Sequence, residues 1–218
     1  MSRDIIPSVP ATEEGIAVAQ VAEWLPVLVG DDGVAELRAL KVPQRYGNPK
    51  TEFGFFDCNY LEAMAAAAVD LSNRGAAGVY FTLNPVSRDL HARSANRVRI
   101  AESGEATKDE HIVRRRWLLV DADPKRVSGV SSTDDEKAQA WRVVNVVKAY
   151  LTEQGWPEPI VADSGNGYHL LYRIDLPAAD NEIVKRVLHV LAIRFSDDSV
   201  GIDPAVFNPS YCQMLWTR

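Results

Sequence analysis

A run of apolar residues that ends in two acids is the feature of this sequence that points most directly to chemistry. The segment LLVDADP (118–124) presents Asp121 and Asp123 with one residue between them. In a β-strand, residues two apart point to the same face, so both carboxylates project together, roughly 7 Å apart, while Ala122 faces the other way. Buried carboxylates are costly unless they are paired or bind a metal ion. The spacing therefore favours a divalent-metal site, and the alternative is a strand that ends in an ordinary Asp-Pro turn.

A second segment, DSGNGYHLLYR (163–173), combines small, polar and basic residues as a phosphate-binding hairpin would. Its two glycines permit positive φ and leave backbone N–H groups uncovered, and a serine and an asparagine add polar side chains. On the strand that follows, His169 and Arg173 share one face. The alternative is a glycine hairpin with a structural histidine. The residues predicted to hold the phosphates of a nucleotide are Ser164, Gly165, Asn166, Gly167, His169 and, more weakly, Arg173.

A third acidic position repeats the local pattern of the first pair. Asp203, in VGIDPAVFNP (200–209), follows a short apolar step and precedes a proline, as Asp123 precedes Pro124. Considered alone, this pattern is typical of a turn-forming aspartate.

The charge of the chain limits the kind of nucleic-acid interface it can offer. The net charge is −6, whereas nucleic-acid binding normally needs a basic footprint. Residues 88–126 nevertheless carry ten Lys or Arg against seven Asp or Glu, and RRR (114–116) stands directly before the paired acids. A solvated basic loop is the alternative. On charge alone, the candidate contacts to template phosphates are Arg97, Arg114, Arg115, Arg116 and Lys125.

The elements that must position these residues alternate between helices and strands. Helical spacing and caps predict helices over 10–28, 57–75, 133–152 and 181–195. Apolar and β-branched runs predict strands over 34–42, 77–85 and 116–123, and a hairpin over 159–174. Thr133 and Glu136 form a predicted capping box, and Asp180 is a predicted cap. Because the hairpin implies antiparallel pairing, the predicted class is α+β, with mixed or antiparallel sheets flanked by helices.

Composition, the lengths of the apolar runs and the cysteine spacing argue against a secreted, membrane-spanning or zinc-binding protein. The fractions of hydrophobic and charged residues, 46% and 25%, are ordinary for a globular protein. The first fifteen residues lack the apolar segment of a secretory signal, and no apolar run reaches the roughly 20 residues needed to cross a bilayer. Cys58 and Cys212 have no Cys-x-x-Cys or histidine companion, which suits a reducing cytosol and argues against zinc. We therefore expect a cytoplasmic protein with no zinc and no membrane contact.

The order of the three patterns carries more information than any one of them. Asp-x-Asp, then Ser-Gly-x-Gly-x-His, then a single Asp resembles the archaeo-eukaryotic primase superfamily, in the primase–polymerase form found in phage and plasmid replication proteins. The resemblance spans about residues 77–210 and includes VYFTLNP, RRRWLLVDADPKR, GWPEPIVADSGNGYHLLYRIDLP and DPAVFNP. One departure is Met214, which stands where the family tends to have a basic, phosphate-binding residue.

The resemblance implies a fold and a reaction. It implies an RRM-like catalytic core over about 111–210 with an N-terminal α/β lobe over about 1–110. Asp121, Asp123 and Asp203 would bind two Mg²⁺ or Mn²⁺ ions and support template-dependent nucleotide transfer from NTPs or dNTPs, with single-stranded DNA as template. A metal-dependent nuclease, a catalytically idle nucleic-acid-binding module and a glycosyltransferase are the alternatives.

The end of the sequence gives one further expectation. The chain finishes in YCQMLWTR, without a polar tail. Because natural termini are usually solvated, we expect residues 1–218 to be part of a longer replication protein, with a helicase or an accessory domain attached. The setting implied by the resemblance is a bacterial cell or a phage-infected bacterial host.

Overall fold

The computed structural model describes residues 13–127 and 129–216, which divide into two compact units. Unit 1 contains the residues up to Phe81, together with Arg88–Glu105 and the end of the last strand. Unit 2 contains Thr82–Ser87 and Ala106–Met214. Both units combine helices with antiparallel sheets, so the predicted α+β class is confirmed. No helix in the two described ranges is long and apolar enough to cross a membrane.

Helices and strands alternate along the chain. In order they are α1 (Glu13–Val29), β1 (Val34–Val42), β2 (Lys50–Asp57), α2 (Leu61–Asn73), β3 (Gly78–Thr82), α3 (Arg88–His91), β4 (Arg99–Ile100), β5 (Arg114–Pro124), α4 (Asp134–Glu153), β6 (Ile160–Asp163), β7 (Tyr168–Pro177), α5 (Asn181–Phe195), β8 (Val200–Ile202) and β9 (Cys212–Trp216).

Unit 1 is built on an antiparallel sheet with the strand order β4-β2-β1-β3, to which β9 adds an edge strand next to β3. Phe53 and Phe55 are buried and meet edge to face, with ring centroids 5.6 Å apart. The alanine-rich helix α2 buries one face and ends before Gly75, which adopts a φ of 84°. The helix predicted from residue 57 begins later than expected, because Asp57 caps a 3₁₀ turn that precedes α2.

Unit 2 has the element order β5-α4-β6-β7-α5-β8 and the sheet order β6-β7-β5-β8, with every neighbouring pair antiparallel. This is the βαββαβ topology of ferredoxin-like folds, to which the expected RRM-like core belongs.

The two faces of the unit 2 sheet differ in what covers them. Trp141 of α4 contacts Tyr168 of β7, with ring centroids 5.0 Å apart, so Tyr168 and its partner Ala122 on β5 point to the helices. Because side chains alternate along a strand, Asp121 and His169 point to the opposite face. Strand parity therefore separates the helix-packing residues from the candidate site.

The helix caps only partly follow the sequence prediction. The capping box at α4 is present, because the Thr133 side chain accepts the Glu136 N–H and the Glu136 carboxylate accepts the Thr133 N–H. Asp180 occupies the cap position of α5, but its side chain makes no capping hydrogen bond, so that prediction was wrong in its chemistry.

Candidate functional site

Strand pairing places three of the predicted site residues in one row. Asp121 stands opposite His169 on β7. On its other side, the backbone N–H of Asp203 donates to the carbonyl oxygen of Asp121 at 2.9 Å, which continues the pairing of β5 with β8. Residues opposite one another in an antiparallel pair share a face. The pairing therefore brings Asp203 beside Asp121 although 82 positions separate them in the sequence.

Asp123 lies next along the same face and is enclosed by two glycines. It pairs with Gly201 on β8. A Cβ on Gly167 would lie 2.3 Å from the Asp123 Oδ1 and 2.3 Å from the Ala122 carbonyl oxygen, so only glycine fits there. The Ser164 hydroxyl donates to Asp123 Oδ1 at 3.4 Å. The glycine-rich hairpin is therefore shaped around this carboxylate.

The two acids of β5 remain within the strand, which excludes the turn interpretation for this pair. β5 runs through Pro124, and the Lys125 N–H still donates to the Ser199 carbonyl oxygen at 2.7 Å. The turn interpretation fits Asp203 better, because its Oδ1 accepts the Ala205 N–H at 2.7 Å and its side chain is exposed.

The negative charges of Asp121 and Asp123 are poorly compensated by their surroundings. The Asp121 and His169 side chains are 13% and 8% exposed, and Asp121 Oδ1 lies 3.2 Å from His169 Nε2. That distance allows an ion pair, but the atoms are not aligned for a hydrogen bond, and the buried Oδ1 accepts none. Burial, and then the neighbouring charge of Asp121, raise the pKa of Asp123 above its ordinary value.

These properties fit a divalent cation. The pair offers hard carboxylate oxygens, which Mg²⁺ and Mn²⁺ prefer, and a cation would offset both the mutual repulsion and the unused hydrogen-bonding capacity of Asp121. Within the described ranges no group of three or more His, Cys, Asp or Glu side chains is already gathered around one point for a metal. The candidate ligands are thus adjacent in the sheet without being drawn together.

The hairpin uses its own backbone donors, which corrects one prediction. The Gly165 N–H donates to Asp163 Oδ1 at 2.7 Å, and the Gly167 N–H donates to the Ser164 hydroxyl at 2.9 Å. These N–H groups are therefore not left uncovered for phosphate. The two oxygens of Asn166 are also engaged, because the side-chain Oδ1 accepts the N–H of Ser132 and the carbonyl oxygen accepts its hydroxyl. The hairpin therefore acts as a rigid support, because these two backbone N–H groups are not free to bind an anion.

Arg173 lies at a distance from the acids. It pairs with Trp117, and its guanidinium carbon is 5.1 Å from the centroid of one of the indole rings. It lies four positions after His169, or roughly 13 Å along a strand. The structure does not bring Arg173 to the paired acids.

Arg115 is buried, so its predicted contact with template was wrong. It is 2% exposed, and its guanidinium donates to the Phe207 carbonyl at 2.8 Å, to the Ala178 carbonyl and to the Asn181 side chain. With three acceptors inside unit 2, this charge is not presented to solvent. Its role is to hold the segment that follows Asp203.

The other basic candidates differ in their surroundings. Arg114 forms an ion pair with Asp175. Arg116 is half-buried, and its backbone N–H donates to Asn84. Lys125 is exposed, with its aliphatic chain beside Gly201. Arg97 is an exposed residue of unit 1.

Two residues near the site were missed by the sequence analysis. Asn84 is 4% exposed and links β5 to the segment after Asp203, since it accepts the Arg116 N–H at 2.8 Å and donates to the Pro209 carbonyl at 3.0 Å. Arg126 is close enough to Asp123 for its charge to oppose the rise in that residue's pKa. The Asn-Pro and Lys-Arg pairs in VYFTLNP and DADPKR were the available signals.

Comparison of the sequence with protein-family models and with curated proteins gives no match.

Proposed function

We propose that unit 2 is the catalytic core of a template-dependent nucleotidyltransferase, a DNA primase or DNA polymerase of the archaeo-eukaryotic primase type that acts in phage or plasmid replication. The observation that supports this most directly is the row of Asp121, His169 and Asp203 beside Asp123, on the face of the RRM-like sheet away from α4. An RRM-like fold alone hosts many functions, so the proposal depends on the site and not on the topology.

The acids are the proposed ligands for the metal ions. Asp121, Asp123 and Asp203 supply hard oxygen donors, and Mg²⁺ or Mn²⁺ ions, when bound, supply activation of the attacking hydroxyl and neutralisation of phosphate charge. Ser164 orients one carboxylate oxygen of Asp123, and Gly167 leaves the space that this side chain needs. The low exposure of Asp121 strengthens its electrostatic interactions relative to those in bulk water.

His169 is the proposed contact to the nucleotide phosphates. Its imidazole carries a donor beside the acids, and as an imidazolium it would balance charge on either Asp121 or a phosphate oxygen. The chemistry needs no protein nucleophile: the primer hydroxyl oxygen bonds to the α-phosphorus, and the bond to the pyrophosphate leaving group breaks. Positioning and charge compensation are the contributions expected of this chain.

The proposed partners follow from the reaction. They are an NTP or dNTP, a single-stranded DNA template and, in a longer protein, a helicase or accessory domain. Because phosphate contacts dominate non-specific affinity and the net charge is −6, we expect this chain to bind single strands weakly and with strong salt dependence.

Primer extension tests the proposal. The chain is incubated with a single-stranded template, with and without a labelled primer, in the presence of labelled NTPs or dNTPs and of either Mg²⁺ or Mn²⁺. Extension or new primers are expected from the wild type and from the control variant Asp31→Ala/Asp32→Ala, which removes two exposed acids of unit 1. Cleavage of the oligonucleotide would instead indicate a nuclease, and neither product across both metals and both nucleotide types would overturn the proposal.

A further inference from the structure

An open pocket next to the paired acids was not predicted from the sequence. It has a volume of about 530 Å³ and is lined by Pro124, Arg126, Gly129, Val130, Ser131 and Asn166. Polar atoms make up most of its lining. It begins at the residue that follows Asp123, so the pocket and the candidate metal ligands are directly connected along the chain.

Arg126 is the charged group of this lining, and its hydrogen bonding is incomplete. One Nη donates to the Val130 carbonyl oxygen, whereas the buried Nε has no hydrogen-bond partner. A buried donor without an acceptor is destabilising, and an anion would supply both an acceptor and an opposite charge. The guanidinium is suited to phosphate because it presents several donors in one plane.

The neutral part of the lining is held in place by two hydrogen bonds. The Ser132 N–H donates to Asn166 Oδ1 at 3.2 Å, and the Ser132 hydroxyl donates to the Asn166 carbonyl at 2.7 Å. These bonds fasten the segment before α4 to the glycine-rich hairpin, whose Ser164 contacts Asp123. Asn166 and the segment that contains Ser131 therefore line the pocket together with Arg126 on a fixed support.

The acids next to the pocket would repel a phosphate group unless a positively charged side chain were also present. Asp121 and Asp123 are both acidic, and without compensation they repel a phosphate group brought close to them. The positive charge of Arg126 already acts on Asp123, where it lowers the pKa against the larger effect of burial. A phosphate in the pocket would thus meet a positive charge at the edge of an acidic site.

We infer that Arg126, with Ser131 and Asn166, forms a binding site for a phosphate group. The inference rests on the proposed function, in which phosphates of a nucleotide or of a nucleic-acid backbone approach Asp123. Both sources share the chemistry that the pocket recognises, a phosphate oxygen with negative charge, and a binding experiment distinguishes them.

The test measures binding of two probes in the absence of divalent metal: inorganic tripolyphosphate and an oligothymidylate without terminal phosphates. The variants are Arg126→Met, which removes the charge, and Arg126→Lys, which keeps the charge but loses the planar fork. The matched control is Arg186→Met, which removes an exposed arginine from α5. Calorimetric titration gives the affinities, and thermal melts establish that each variant is folded.

For at least one probe, we expect Arg126→Met to weaken binding about tenfold or more, Arg126→Lys to weaken it less, and Arg186→Met to change it less than twofold. Loss for tripolyphosphate alone identifies the nucleotide as the source, and loss for the oligonucleotide alone identifies the backbone. Unchanged affinity of both folded Arg126 variants for both probes would overturn the inference. If Arg126→Met does not fold, the Lys variant decides by the same criterion.

The phosphate-binding test can succeed or fail independently of the test for nucleotide transfer. The variant Asp121→Ala/Asp123→Ala cannot transfer nucleotides under the proposal, yet it retains Arg126 and loses two repelling charges. It should therefore bind the responsive probe at least as tightly as the wild type. Arg126-dependent binding by a chain with no transferase activity would support this inference while contradicting the proposed reaction.

Discussion

Both sheets of this protein carry carboxylates with little solvent exposure on their strands, but the surroundings of these carboxylates differ. In unit 1, Glu36 of β1 is fully buried and forms an ion pair with Arg38. Glu52 of β2 is 6% exposed and accepts hydrogen bonds from Arg74 and Gln44. Each of these acids thus has an arginine that compensates its charge, as buried structural acids require.

In unit 2 the two acids of β5 instead lie side by side on one face of the sheet. Burial, and then the neighbouring charge of Asp121, raise the pKa of Asp123, and Asp121 keeps a buried oxygen that accepts no hydrogen bond. Among the described residues, the buried acids Glu36 and Glu52 are paired with arginine, whereas the two half-buried acids of β5 are incompletely compensated. The acids of unit 1 are charge-paired within their sheet, and the contrast supports the proposal that those of unit 2 bind a ligand.

The largest expected effect comes from removing the two adjacent acids of β5. Asp121→Ala/Asp123→Ala should lower nucleotide transfer by at least about a thousandfold, because metal ligation accounts for several kcal/mol of transition-state stabilisation. The midpoint of thermal unfolding should stay the same or rise, since two repelling charges are removed. Primer extension and calorimetry on the same preparation check both parts. Extension at the wild-type rate would show that these acids are not the ligands.

Removing Arg74, which compensates Glu52 in unit 1, should instead lower the stability of the protein. Arg74→Met leaves the Glu52 carboxylate buried, and we expect the free energy of unfolding to fall by about 2–3 kcal/mol, less than for a fully buried pair because the Arg74 side chain is 40% exposed. Urea denaturation measures this loss. In the double variant Arg74→Met/Glu52→Gln most of the stability should return. Simple addition of the two single effects would mean that the pair is not coupled.

Replacement of His169 tests whether its imidazole binds the nucleotide phosphates or only accompanies Asp121. If its imidazole serves phosphate, His169→Ala should weaken nucleotide binding by about 1.5–3 kcal/mol, the range for a hydrogen bond to a charged group, with little change in template affinity. Titrations with a nucleotide and with single-stranded DNA measure the two effects. A lower melting temperature with unchanged nucleotide affinity would instead make His169 a structural partner of Asp121.

The smallest effect is a change in the pH dependence of stability. The pKa of Asp123 is raised in the folded protein, so the folded state binds its proton more readily than the unfolded chain does. The wild type should therefore lose stability relative to Asp123→Asn as pH rises from the ordinary value of 3.8 through the raised pKa, and the difference should then stay constant.

Asp197 provides a control of opposite sign. Hydrogen bonds from Ser199 and Val200 lower its pKa to about 2, so Asp197→Asn should be destabilised at neutral pH, and its deficit should shrink as pH falls towards 2. Urea denaturation between pH 2 and 7 without divalent metal compares both variants with the wild type. Parallel pH profiles for the two variants would remove the electrostatic distinction between these sites.

Much of the fold could be predicted because its local signals agree with its packing. The strand over 34–42 and the helix over 181–195 coincide with β1 and α5. The shared face of Asp121 and Asp123 followed from the two-residue period of a strand. These features depend on neighbouring residues alone, so one segment of sequence contains the information that determines them.

Other features depend on distant residues and could not be read in this way. The strand β2 was missed because both of its faces are buried, which removes the alternation of polar and apolar residues. Its Gly54 is required by the Arg97 carbonyl oxygen, which would lie 2.1 Å from a Cβ at that position. Similarly, nothing in RRR distinguishes the buried Arg115 from its neighbours. The register of β5 shifts between Arg115 and Trp117, so simple alternation fails there.

The contacts of Asn84 and Arg115 have a consequence for how the protein folds during synthesis. Asn84 reaches Pro209 across 125 positions of sequence, and Arg115 reaches Phe207 across 92. Contacts of such high sequence separation form slowly because a long loop must close first. On the ribosome, therefore, we expect β5 to complete its contacts with residues 207–209 only after most of the chain has emerged. We expect Asp203 to join the two acids of β5 only in the last stage of folding.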